Sequence, residues 1–237
     1  MTNQELVNNI RQFCKANGNP AIVKKYSRFF KEGYDAYGLD TKSYDACFKM
    51  ITKDNELTLK LVLAAAPELI KTGKYEETFF VIRMMKSFYP QFSAKTFKEI
   101  EKWFKVGIVN WAHADVLAGD IIADFLIREI VPLSALEPWR KAENKFQRRI
   151  VAVSLIKLLK DEKNIGKLIS FVEPMMNDEQ REVHQGVGWF LREAWKLDKP
   201  RTEKFLLKWK DTAPRLIFQY ATEKMAANEK KRFKREK

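Results

Sequence analysis

Cysteine is nearly absent from this chain of 237 residues, which has only Cys14 and Cys47. The two fall in different predicted helices without ligand-like spacing. Neither a disulfide framework nor a zinc site is expected, and both read as free thiols of a reducing compartment. Glycine and proline are scarce, at 9 and 8, which argues against a turn-rich sandwich or barrel. The only histidines, His113 and His184, have no partners at metal spacing, so no metal is expected. There is no glycine-rich phosphate loop, no visible nucleophilic triad, and no lysine set in an apolar patch as a Schiff-base nucleophile. No cofactor is expected. No apolar run approaches the ~20 residues that span a bilayer, and the opening MTNQELVNNIRQF lacks the apolar region of a signal peptide. A cytoplasmic protein with no membrane partner is the expectation.

What is present favours helix. Hydrophobic residues make up 46% of the chain, enough for one sizeable core. Leu, Ala, Lys, Glu and Phe are plentiful, and apolar positions recur at three- and four-residue spacing almost throughout. This predicts helices near 3–17, 20–31, 41–53, 56–71, 75–89, 94–106, 111–129, 133–141, 143–160, 164–173, 177–197, 200–210 and 214–229. Stop signals fall between them, among them Gly18, Gly38, Pro90, Pro132, Pro138, Pro174 and Pro214. Asn3, Ser93, Asn110 and Asp198 are candidate caps. No stretch alternates at period two, so no sheet is expected.

Short connectors make sequential helices antiparallel neighbours. From near residue 41, two helices plus turns recur about every 35–40 residues, the size of HEAT-type units, although the letters do not repeat. The expected fold is all-α: a curved α-solenoid of HEAT-like helix pairs with a concave basic face. A compact bundle is the alternative. One domain is expected over 1–229, with a polar basic tail over 230–237.

Lys and Arg total 44 against 31 Asp and Glu, a formal charge of +13. Such a surplus draws a protein to polyanions. Nucleic acid is the leading partner, ahead of a membrane surface, because no basic amphipathic segment stands apart from the globular pattern. A merely soluble basic surface is the alternative.

Three segments are candidates for chemistry. In NWAHADVLAGD, residues 110–120, Trp111 and Asp115 lie one turn apart on a helix face. The small Ala118 and Gly119 come next on that face. A carboxylate beside an indole can hold a cationic group, while a core Trp beside a surface Asp is the plain alternative. In ENKFQRRIVAVSLIKLL, Arg148 and Arg149 sit in the first turns of a helix, where forked donors and the helix dipole suit phosphate. Surface salt bridges are the alternative. In VHQGVGWFLREAW, Trp189, Arg192 and the following Lys196 form one stripe. Gly186 and Gly188 are costly in mid-helix. They imply close approach by a neighbouring helix or by a nucleic-acid strand.

Together these segments resemble the AlkD-like DNA glycosylases, the HEAT-like-repeat family of DNA alkylation repair enzymes. Three elements carry the match in the family's order: W-x-x-x-D at Trp111 and Asp115, Q-R at Gln147 and Arg148, and G-W-x-L-R-E at Gly188 to Glu193. The third is the most specific. KKYSRFFKEGYDAYGLDTKSY also looks like the family's Tyr-containing helix and the turn after it. The resemblance spans roughly residues 5–225 at low identity.

The resemblance implies monofunctional hydrolysis of the N-glycosidic bond of cationic N3- or N7-alkylated purines in duplex DNA. The base would not be enclosed in a pocket, and the protein would act as a monomer. Trp111 and Trp189 match the aromatics flanking the lesion's deoxyribose, and Asp115 the catalytic carboxylate. Arg148 and Arg192 match phosphate-contacting positions, and Tyr26 an aromatic near the lesion. Arg149 and Lys196 are added to the expected DNA contacts from their placement. The chain departs from the family at Ala112, where an acidic residue is common, at His113, and at Arg149, where a small residue is common. A catalytically silent module for damaged, bent or branched DNA is the main alternative. A protein-interaction solenoid is the other.

Overall fold

The computed structural model describes residues 1–53, 56–161 and 164–235, and among these every regular element is helical. The chain forms two compact units, Met1–Val116 and Leu117–Lys237.

The first unit holds α1 (Asn3–Asn17), α2 (Pro20–Ser27), α3 (Thr41–Thr52), α4 (Leu59–Lys71), α5 (Tyr75–Lys86), α6 (Ala94–Val106) and the short α7 (Trp111–Val116). Side chains that accept backbone N–H groups fix the starts. Thr2, one residue before the expected Asn3, closes a capping box with Glu5. Ser93 caps α6 with Thr96, and the Asn110 side chain accepts from the His113 N–H at 2.9 Å. Such caps satisfy donors that the first helical turn leaves unpaired. Contacts run between consecutive helices (α4 with α5) and between alternate ones (α4 with α6, α1 with α3). That register is the one in which helical pairs stack in a solenoid.

Helix α2 ends at Ser27, short of the expected 31. The N–H groups of Phe29 and Phe30 turn back to the carbonyls of Tyr26 and Ser27. The loop that follows is held by two buried carboxylates of α5. Glu76 accepts the N–H groups of Tyr37, Gly38 and Leu39 at 2.8, 2.7 and 3.2 Å. Gly38 has φ of +86°, a conformation that costs other residues energy. Glu77 accepts from Arg11 Nε, the Tyr37 hydroxyl and the Thr72 hydroxyl at 3.1, 2.7 and 3.1 Å. Buried carboxylates persist only with such full partnering. Their effect here is to fix a 13-residue excursion, 28–40, against α5.

The second unit opens with a π-helical segment, Leu117–Ile122, and continues through α8 (Ala123–Ile127), α9 (Lys145–Ser154), α10 (Ile165–Val172), α11 (Arg181–Leu197), α12 (Lys199–Trp209), α13 (Arg215–Ala221) and α14 (Ala227–Lys230). The helix expected over 133–141 is two 3-10 turns, Leu133–Leu136 and Pro138–Lys141, because Pro138 lacks the N–H that a continuous helix needs. The helix expected over 214–229 is broken after Ala221 into α13 and α14.

Helix α11 is the centre of this unit and packs on α9, α10, α12 and α13. Its Val183, Val187, Phe190 and Leu191 are fully buried, each contributing about 1.5–3 kcal/mol. The segment at 230–235 folds back onto the unit. Phe233 is buried, its carbonyl accepts from Arg215, and Arg232 pairs with Glu203 at 2.7 Å. Glu236 and Lys237, the end of the expected basic tail, lie outside the described residues.

Candidate functional site

Trp111 is not a core residue. It begins α7 and is 36% exposed. Its Nε1–H donates to the Phe29 carbonyl at 3.2 Å. One face of its ring stacks on Phe30, with centroids 5.4 Å apart and planes 18° from parallel. Phe30 in turn stacks on Tyr34 at 4.5 Å and 18°. The short connection after α2 thus holds the indole by its edge and by one face. Asp115, one turn further along α7, is half-buried. Tyr26 is 43% exposed and lines the same cavity as Trp111.

His113 supports this arrangement from below. Its Nε2 lies 2.9 Å from the Tyr75 carbonyl, and its Nδ1 lies 2.8 Å from the Asn110 side-chain nitrogen. A carbonyl only accepts, so Nε2 carries the proton and Nδ1 accepts from Asn110. The Tyr75 ring stacks on the imidazole at 4.8 Å. Burial pushes the His113 pKa down to about 4. It is a neutral peg joining α5 to the start of α7, which accounts for one departure from the family's pattern.

In the second unit Trp189 is half-buried on α11. Two residues of its stripe are paired with acids. Arg192 Nε donates to Glu193 at 3.0 Å and its Nη1 to Glu223. Lys196 donates to Glu193 at 2.6 Å. Burial works to raise the Glu193 carboxyl, but the Lys196 and Arg192 hydrogen bonds outweigh it and hold the group below its usual range. The two glycines of this helix face neighbouring helices. A Cβ on Gly188 would lie 2.6 Å from the Tyr220 Cβ and 2.7 Å from the Ile217 carbonyl oxygen. One on Gly186 would lie 3.1 Å from the Arg149 Cγ. Of the two expected causes of close approach, the neighbouring helix is the one realised.

Two arginines differ from expectation. Arg149 is buried at 5% exposure and donates to the Glu182 carbonyl at 2.6 Å. It packs α9 against α11 and has no surface to offer a phosphate. Arg148 makes four hydrogen bonds inside the protein. Two go to the Asp178 carboxylate, at 2.7 and 3.4 Å, and two to the carbonyls of Ala142 and Glu143, at 2.6 and 3.0 Å. A guanidinium has five N–H donors, so Arg148 is a clamp holding the loops before α9 and α11 together. The paired-arginine pattern could not distinguish these uses from phosphate contact.

Sequence reasoning also passed over Phe29, Phe30, Tyr34 and Tyr75. The signal available was the aromatic density of YSRFFKEGYDAY, but which ring meets Trp111 depends on the loop fixed by Glu76 and Glu77. Both cysteines are buried, and burial raises both thiols, Cys47 to about 12. Among the described residues, no group of three His, Cys, Asp or Glu is placed to hold a metal ion, and no helix is long and apolar enough to cross a membrane.

Comparison with known proteins gives these residues their context. The model of the family described as DNA alkylation repair enzyme matches residues 10–225. Among solved structures, the chain is similar to one described as a predicted DNA alkylation repair enzyme from Enterococcus faecalis. The TM-score is 0.75 at 17% identity, over 89% of this chain and 98% of that one. At that identity the likeness concerns the fold, an all-helical, solenoid-like one. No curated protein matches the sequence. The family model runs over most of the chain, and the three motif segments lie within it, so this protein belongs to the DNA alkylation repair enzyme family.

Proposed function

We propose that the chain is a DNA glycosylase that releases N3- and N7-alkylated purines from duplex DNA by hydrolysis. The observation that carries this reading is Trp111. It is an exposed indole, held at its edge by the Phe29 carbonyl and on one face by Phe30, one helical turn from the Asp115 carboxylate.

Alkylation at N3 or N7 makes the purine cationic and a good leaving group, so little general-acid help is required. As the C1′–N9 bond breaks, its electron pair neutralises the purine and positive charge develops on the sugar. Asp115 stabilises that charge and orients the water that adds to C1′, and a proton is then lost from the adding water. The indole face of Trp111 adds cation–π stabilisation of about 0.5–2 kcal/mol, and Trp189 is the second aromatic that the family resemblance implies. Arg192 and Lys196 meet backbone phosphates, exchanging their carboxylate partners for them, and Arg148 holds the loops that carry α9 and α11. Tyr26 contacts the nucleotide near the lesion. No amine nucleophile takes part, so the abasic strand is left uncut.

The test is release of 7-methylguanine and 3-methyladenine from methylated duplex DNA. The wild type releases both, and Asp115→Asn is slower by about 100-fold or more, the scale of removing one group that stabilises transition-state charge. Undiminished release by Asp115→Asn rules out the assigned role. Salt-sensitive duplex binding with no release by the wild type identifies a silent DNA-binding module instead.

A further inference from the structure

Two side-chain links join α11 to α13 and the turn after it, and Trp189 falls between them along α11. Gln185 and Arg192 are seven residues apart on α11, which places them two turns apart on one face. Gln185 Nε2 donates to the Tyr220 hydroxyl of α13 at 2.8 Å. Arg192 Nη1 donates to Glu223, just past the end of α13. Gly188 permits this approach, because the Tyr220 Cβ stands where a side chain on residue 188 would collide.

The first link leaves hydrogen-bonding capacity unused. A carboxamide has two N–H donors and a carbonyl, and a phenol can accept one hydrogen bond while donating another. Among the described residues, the second Gln185 N–H, the Gln185 carbonyl and the Tyr220 O–H have no partner. Both residues are half-buried, and the Gln185 oxygen is open to solvent. Accepting from Gln185 polarises the Tyr220 hydroxyl and strengthens it as a donor. Donor atoms 2.8 Å apart can reach two oxygens of one phosphate. Around them Arg192, Lys196 and Lys224 outnumber Glu193 and Glu223, with which they pair, so the local field favours an anion.

We propose that Tyr220 and Gln185 form an uncharged phosphate-binding pair that takes one backbone phosphate of the duplex beside Trp189. The proposal rests on the reading that Trp189 and Arg192 face DNA. Tyrosine and glutamine side chains donate to phosphates in many protein–DNA interfaces, where they fix register without reading sequence. Two side chains already linked to each other and half-buried lose little freedom on binding. The pair differs from Arg192 in one measurable respect. It neutralises no phosphate charge, so it releases no counterion from the DNA.

Binding of an unmodified duplex, followed by fluorescence anisotropy over a range of salt concentrations, tests the proposal. Tyr220→Phe keeps the ring and loses the hydroxyl. It weakens binding at least about fivefold, the scale of a lost hydrogen bond to a charged group, and leaves the salt slope unchanged. Gln185→Met does the same. Replacing single phosphates of the duplex with uncharged methylphosphonates separates phosphate contact from a merely structural role. At one position the replacement weakens binding by the wild type at least about threefold more than binding by Tyr220→Phe, as coupled partners require.

Wild-type affinity in both variants overturns the proposal, as does an equal methylphosphonate penalty for the wild type and Tyr220→Phe at every position, or no duplex binding by the wild type. Base release from methylated DNA is measured in parallel. A phosphate position coupled to Tyr220, without base release by the wild type, supports the pair and removes the glycosylase reading. Base release with equal penalties at every position does the reverse.

Discussion

His113 has a consequence measurable without any substrate. Its ring is neutral in the folded protein, between the Tyr75 carbonyl and Asn110, and burial lowers its pKa to about 4. In the unfolded chain the same group titrates near 6.5. Between those values the unfolded state takes up a proton that the folded state refuses. The contribution of His113 to stability is therefore complete above about pH 6.5. It declines as the pH falls toward 4 and levels off below, with a full size on the order of 3 kcal/mol. Urea unfolding from pH 7.5 to 4 measures this directly. His113→Gln removes the His113 part of the slope and leaves the carboxylate part. Identical slopes in the two proteins show that the imidazole is not held neutral. Because α7 starts at this peg, the variant also loosens Trp111, so its base release falls more than its stability at pH 7.5 predicts.

At the level of elements, the two mid-helix glycines of α11 and Gly119 in the π segment make an internal control. Gly188 has backbone of α13 at 2.7 Å from where a Cβ would stand, whereas a Cβ on Gly119 meets nothing within 4 Å. Gly188→Ala forces α11 and α13 apart and costs about 1–3 kcal/mol. Gly119→Ala is neutral or gains up to about 1 kcal/mol from reduced unfolded-state freedom. Thermal melts of both variants check this, and equal midpoints contradict the packing assignment.

The cost of these glycines was legible in the sequence, and so were most helix bounds and the caps at Ser93, Asn110 and Asp198. The π segment was not. Leu117, Ala118, Ile121 and Ile122 are its buried residues, and over six residues that spacing fits an α-helix equally well. The aromatic cavity was also hidden. Its walls come from 22–44, Tyr75 and Trp111–Ala112, and the loop that brings them together depends on carboxylates of α5. The exposure of Trp111 follows from the same contacts. Sequence spacing could mark Trp111 and Asp115 as neighbours but not show what holds the indole.

For the whole molecule, the formal charge of +13 is a poor count of the cations that meet DNA, because several candidate contacts already have acidic partners. Arg148 and Asp178 are paired with 15% and 8% of their side chains exposed. Removing the arginine leaves a buried carboxylate uncompensated, and Arg148→Ala costs on the order of 3–5 kcal/mol of stability. Lys196 and Arg192 sit in pairs that are more open to solvent on at least one side: Lys196 is 42% exposed, and the Glu223 partner of Arg192 is 47% exposed. A phosphate can replace those carboxylates. Duplex binding measured from 50 to 200 mM salt separates the two kinds of arginine. Each lost phosphate contact lowers the slope of log K against log salt by about 0.9. Arg192→Ala and Lys196→Ala therefore each flatten the slope by about that amount, with little change in thermal midpoint. Arg148→Ala shifts the midpoint and, at a temperature where it remains folded, keeps the wild-type slope. A flattened slope in Arg148→Ala returns that residue to the DNA-contacting set. An unchanged slope in Arg192→Ala removes Arg192 from it.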